Sequence, residues 1–197
     1  ALTGIPVAFD FRSLDVTLGG EGAPLVPAGD KFLFSEYNIC LNLGGIANLS
    51  RDIAKKRIAY DICFCNMGLN YLMATIGKAY DEKGQLASLG EINKPMLGTL
   101  KKTYSGFRKK RPSLGREIFE RQIKPLLDDP SVNLNDKLRT LNESAAQEIA
   151  NAILMEGKRP RVLCTGGGAF NSFFVSRLLE HCGDETTLVI PADEVVK

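Results

Sequence analysis

The chain has 197 residues, 44% of them hydrophobic and 24% charged, a balance that places it among soluble globular proteins of one or two domains. Its formal net charge of +2 gives no electrostatic case for nucleic acid or a membrane surface as a partner. No apolar run approaches the roughly 20 residues a transmembrane helix needs, and no signal-peptide pattern opens at Ala1.

Residues 1–65 read as β-rich: IPVAFDF, a Gly/Pro loop GGEGAPLVP, then YNICLNLGGIANLS and RIAYDICF. In VAFDFRSLDV, Asp10 and Arg12 interrupt an apolar strand. Two apart on a strand, they share a face, and form either a charge-balanced pair at a cleft or a buried structural ion pair. In ICLNLGGIANLS, Cys40–Leu43 and Ile46–Leu49 make two short strands, with Gly44-Gly45 supplying the positive φ of a two-residue hairpin. A plain turn explains that dipeptide. Asn42 and Asn48, polar within apolar strands, tilt it toward a ligand edge.

Residues 66–157 read as helical, in pieces NMGLNYLMATIG, EINKPMLGTLKKTY and GREIFERQIKPLL. The longest helix is expected over 134–155, where Leu134, Leu138, Leu141, Ala145, Ile149 and Ile153 form one apolar stripe. Such stripes serve core packing or a homodimer face equally well. The basic cluster KKTYSGFRKKR, 101–111, reads as a solvated loop.

Residues 161–190 return to strand, helix, strand. In VLCTGGGAFNSFFVSRLLEH a short apolar run meets Gly166, Gly167 and Gly168, and a helical pattern starts near Ala169. Glycine in a strand-to-helix turn permits positive φ and close approach to the backbone, and the helix N-terminus beside it suits an anion. A tight packing turn is the alternative. The only histidine, His181, ends that helix, where exposure and the helix dipole account for it. The five cysteines are odd in number, lie mostly in or beside apolar runs and form no C-x-x-C. Disulfides and zinc are therefore not expected, and Cys63 and Cys65 read as buried thiols in a reducing cytoplasm. The order β-rich, helical, βαβ argues for an α/β sheet with helices packed on it.

Three stretches in this order, FDFRSLDVTLGGEGAPLVP, LNLGGIANLS and TGGGAFNSFFVSRL, resemble segments of the anhydro-N-acetylmuramic acid kinases, over about Ile5 to Ile190. The resemblance implies the actin-like (ribonuclease H-like) ATPase fold, with a mixed sheet flanked by helices. It implies phosphorylation of 1,6-anhydro-N-acetylmuramic acid by ATP, with water opening the anhydro ring, in cell-wall sugar recycling. By motif, Asp10 resembles the catalytic base and Arg12 a supporting, substrate-binding charge. Gly44, Gly45 and Asn48 resemble a phosphate-facing hairpin, and Gly166, Gly167 and Gly168 the adenosine-side loop. ATP and Mg²⁺ are the implied cofactors, with Mg²⁺ bridging phosphates and no metal site of the chain's own.

Where the family carries D-T-G-P-G-N, this chain has Asp61-Ile62-Cys63-Phe64-Cys65-Asn66, keeping only the ends, and Asp61 and Asn66 are candidate cleft residues. The resemblance also implies that the chain is the second lobe of a two-lobed kinase, incomplete at both ends, whose facing N-terminal lobe is a required partner. Two functions follow: a sugar-kinase lobe that works with its other half, or a divergent, non-catalytic lobe that binds nucleotide, sugar or a partner protein.

Overall fold

Alternating and β-branched apolar runs on either side of Gly44-Gly45 give strands β1 (Ile39–Leu43) and β2 (Ile46–Ile53), and β3 (Lys56–Phe64) extends the meander. Both contacts are antiparallel. The computed structural model describes residues 4, 6, 9–19, 27–54, 56–155, 160–184 and 186–192. After a helical region the chain returns in β4 (Arg161–Thr165), parallel to β1, and β5 (Thr187–Val189), parallel to β4. The result is one mixed sheet in the order β3-β2-β1-β4-β5, flanked by helices.

The helical stretch holds α3 (Asn66–Ala74), α4 (Gln85–Ser88), α5 (Lys94–Lys110), α6 (Arg116–Gln122), α7 (Lys124–Leu127) and α8 (Leu134–Leu154). Helix α8 begins where the stripe predicts because Asn133 caps it, its side chain accepting from the Asp136 N–H at 2.9 Å. Leu138, Leu141, Ala145, Ile149 and Ile153 are all buried, so the stripe serves the core. It packs with Leu41, Leu43, Leu49 and Cys164 of the sheet in one cluster. Helix α5 buries Met96, Leu100, Tyr104 and Phe107 along one face.

Three expectations need correction. The basic cluster is not a loop: it belongs to α5, and Arg108, Lys109 and Lys110 sit in the last turn, where cations complement the helix dipole. The segment around Asp10 and Arg12 is not a strand. Helix α1 (Phe11–Thr17) starts there, and Asp10 caps it in the left-handed conformation (φ 60, ψ 42), accepting from the Ser13 N–H at 3.4 Å. Aspartate is favoured both as a cap and, among non-glycine residues, at positive φ, and that local preference outweighs the apolar run. Finally, helix α9 (Ser172–Cys182) starts later than Ala169. A single 3₁₀ turn, Gly167–Phe170, intervenes, and Asn171 then caps α9 by accepting from the Phe174 N–H at 3.0 Å.

The other face of the sheet carries α2 (Pro27–Leu33). There the Ser50 hydroxyl donates to Asp30, and Arg57 donates to the Ser50 oxygen at 3.0 Å. Residues 20–26 of the Gly/Pro loop lie outside the described residues.

Candidate functional site

Strands β1 and β4 are parallel neighbours, and the chain leaves the end of β1 by the hairpin and the end of β4 by the triple glycine. The two glycine turns therefore meet at the carboxyl ends of adjacent parallel strands, the edge at which open α/β sheets hold ligands. Leu43 pairs with Ala47, so the hairpin turn runs over Gly44, Gly45 and Ile46, and neither glycine takes a positive φ. With the turn one residue longer than a two-residue hairpin, the primed geometry is not required.

The three glycines of the second turn differ in what surrounds them. Gly166 has φ 82, and a Cβ there would fall 2.4 Å from Asn42 Oδ1 and 2.9 Å from the Leu43 carbonyl. On Gly168 it would fall 2.9 Å from Leu43 Cβ and oxygen. These two glycines exist to let β4 lie against β1. Gly167 is exposed, and the nearest atom to a Cβ on it would be Asn66 Nδ2 at 3.9 Å. Its open backbone is what a ligand could approach.

A polar row crosses the sheet just before these turns. Register pairs Asp61 with Asn48, Asn48 with Asn42, and Asn42 with Thr165, so one row spans β3, β2, β1 and β4. Asp61 joins it through a slip in register between Ala47 and Asn48. Its carboxylate is already engaged, accepting from the Leu114 N–H at 2.8 Å. Burial pushes the Asp61 carboxyl up, and that hydrogen bond opposes the shift.

Asn66 lies at the turns rather than in the row. Its N–H donates to the Gly44 carbonyl at 3.1 Å and its Nδ2 to the Leu43 carbonyl at 3.0 Å. Cys65 and Met67 donate their N–H groups to Gly45 at 2.9 and 3.0 Å. The amides at the start of α3 are thus taken by the hairpin, which removes that helix terminus as an anion site. Cys63, Phe64 and Cys65 are all buried. Burial pushes the Cys65 thiol up to about 12.

The structure therefore brings together Gly44, Gly45, Asn66 and Gly166–Gly168, with Asn48 and Asp61 on adjoining strands. Asp10 and Arg12 are exposed on α1, where the hydrogen bond of Asp10 is with its own helix. Two surface grooves of about 370 and 380 Å³ lie away from the glycine turns. One, between α5, α8 and α9, is lined by Lys101, Arg108, Gln147, Glu148 and His181. His181 is half-buried, with Nε2 2.7 Å from Glu143 Oε1, so exposure does not describe it.

Asp81 escaped the sequence reading. It accepts from the Leu86 and Ala87 N–H groups, both at 2.9 Å, and Gly84 beside it (φ 73) would place a Cβ 2.5 Å from Asn171 Oδ1. The Asp-x-x-Gly spacing was the available signal for this turn. It anchors the loop to the start of α9.

A family model described as anhydro-N-acetylmuramic acid kinase matches residues 1–195. Among solved structures, the activator of 2-hydroxyisocaproyl-CoA dehydratase from Clostridium difficile with bound ADPNP is 16% identical. That match covers 83% of this chain and 57% of the other, with a TM-score of 0.49. A ROK family glucokinase from Streptomyces griseus in complex with glucose and AMPPNP is 13% identical, over 90% of this chain and 65% of the other, with a TM-score of 0.37. The chain thus spans about half to two-thirds of the length of these structures.

Proposed function

Because the chain belongs to the anhydro-N-acetylmuramic acid kinase family, we propose that it takes part in ATP-dependent phosphorylation of 1,6-anhydro-N-acetylmuramic acid, as the second lobe of a two-lobed sugar kinase. The observation that carries this is the junction of two glycine turns at the ends of β1 and β4, with Gly167 open to a ligand.

Gly166–Gly168 hold the adenosine side against backbone, and Gly44, Gly45 and Asn48 face the phosphates. ATP supplies the phosphoryl group when bound. Asp10 accepts the proton of the water that opens the anhydro ring, and Arg12 adds a compensating positive charge. Among the described residues no group of three His, Cys, Asp or Glu is clustered to hold a metal. Mg²⁺ would accompany the nucleotide and neutralise charge on its phosphates. A cytoplasmic setting and the recycling of cell-wall sugar belong to the same proposal. They fit five buried free thiols, and no helix among the described residues is long and apolar enough to cross a membrane.

One observation favours a second reading. Asp61 is held by Leu114, and the amides of Cys65–Met67 are held by the hairpin, so this edge offers fewer free groups than a catalytic site uses. In that case the lobe binds nucleotide without turnover. The test is calorimetric titration of the two-lobed protein with AMPPNP, then coupled ATP turnover with 1,6-anhydro-N-acetylmuramic acid. Binding with turnover supports the kinase, binding without turnover supports the second reading, and no binding removes both.

A further inference from the structure

The Leu43 carbonyl is the atom on which the site turns. Gly166 and Gly168 both pack against it so closely that a Cβ on either would lie 2.9 Å from its oxygen. The same oxygen accepts from Asn66 Nδ2 at 3.0 Å, while the Asn66 N–H holds the next carbonyl, that of Gly44, at 3.1 Å. Asn66 Oδ1 completes the contact, 3.3 Å from where a Cβ on Gly168 would stand. One half-buried side chain thus donates to the hairpin strand and stands beside the triple-glycine turn, from the first position of α3.

From this geometry we infer that Asn66 is a positioning residue that sets the triple-glycine turn against the hairpin. Its role is not to touch the ligand but to fix the relation of two backbone segments that both do, which rests on the proposed nucleotide-binding role of those turns. Helix α3 itself does not depend on the side chain. Its first amides are satisfied by Gly44, Gly45 and Cys65 carbonyls through backbone groups alone. What the side chain adds is the donor for Leu43. Without it that carbonyl loses this donor and the packed glycines lose a fixed neighbour.

Two variants separate this from a general stabilising role. Asn66→Asp keeps the volume but presents a carboxylate that cannot donate to the Leu43 carbonyl, and Asn66→Ala removes the group. Native-state hydrogen exchange on the protein without ligand is expected to accelerate on the order of tenfold at Leu43–Gly45 and Gly166–Phe170, the loss of about one hydrogen bond in a local opening. Exchange in α8 and β3 should stay at the unmodified rate. AMPPNP affinity should fall by a similar factor in both variants, with kcat less affected than KM. Unchanged exchange at the two turns overturns the inference, and so does acceleration throughout the fold or loss of folding in both variants. If the unmodified protein shows no AMPPNP binding, the nucleotide reading fails, while the exchange data still decide whether Asn66 joins the two turns.

Discussion

At the scale of single residues, the triple glycine divides into two structural positions and one open one. Gly167→Val is expected to fold normally, because Gly167 is exposed and the nearest atom to its new Cβ is 3.9 Å away. Its AMPPNP affinity should nonetheless fall, since the side chain occupies the approach to the backbone. Gly166→Ala should behave in the opposite way. It combines positive φ with a Cβ 2.4 Å from Asn42 Oδ1, so a loss of about 2–4 kcal/mol in urea denaturation is expected. Equal stability of the two variants would contradict the division. Asp10→Asn tests the proposed base. Asparagine caps helices as well as aspartate and tolerates positive φ, so α1 should persist. It cannot accept the water's proton, and turnover in the two-lobed protein should drop by ~10²–10⁴ with ligand binding retained. Full activity in that variant would exclude Asp10 as the base.

At the scale of elements, α8 carries two buried carboxylates whose titrations oppose each other. Burial raises the Glu143 carboxyl, but donors from Arg177 (2.9 Å), His181 and Gln147 outweigh it and hold it below its ordinary 4.5. Burial also raises Glu148, and there it prevails over the Arg108 ion pair. A lowered carboxyl contributes stability that is present above 4.5 and lost as the pH falls through the folded value. A raised one contributes stability below 4.5 that is lost as the pH rises through its folded value. Glu143→Gln should therefore lower stability at neutral pH, and the difference from the unmodified protein should shrink as the pH drops below 4.5. Urea denaturation across that range measures it, and a pH-independent difference would show that folding leaves the Glu143 carboxyl unshifted. The element scale is also where legibility in the sequence divides. Helix α8 and strands β1 and β2 could be read because a long apolar stripe, and two apolar runs around a Gly pair, each point to one local element. The turn between the strands is one residue longer than the Gly pair implies and has no positive φ. The α1 segment could not, because a short apolar run fits strand or helix and the Asp10 cap decided it. Nor could the partners of Asp61 and Asn66, since Leu114 and Leu43 reach them only through tertiary packing. The glycine turns were legible as turns, but which glycine is open was not.

At the scale of the molecule, the five cysteines are spread over β1, β3, the start of α3, β4 and α9, and all are buried. Burial pushes Cys65 and Cys164 up to about 12 and Cys182 to about 11, so little thiolate exists at neutral pH. Native-state labelling with a thiol reagent should be slow at every site and should track global opening measured by denaturant. Rapid labelling of Cys63 or Cys65 would mean that the segment beside α3 opens on its own. The whole-molecule question for function is whether this lobe can do chemistry unaided. Phosphoryl transfer needs nucleotide and acceptor clamped together away from water, because positioning and a dry electrostatic environment supply most of the rate. Here Asn42, Gly45 and Gly167 all stand exposed at the junction, and neither surface groove includes a glycine-turn residue. The 197-residue chain should therefore bind AMPPNP weakly and transfer no phosphoryl group to 1,6-anhydro-N-acetylmuramic acid. The two-lobed protein should bind more tightly and turn over, because the second wall removes solvent from the same residues. Coupled ATP turnover on both, with calorimetry alongside, makes the comparison. Robust transfer by this chain alone would mean that Gly167 and its neighbours already form a closed site, and the lobe reading would have to be given up.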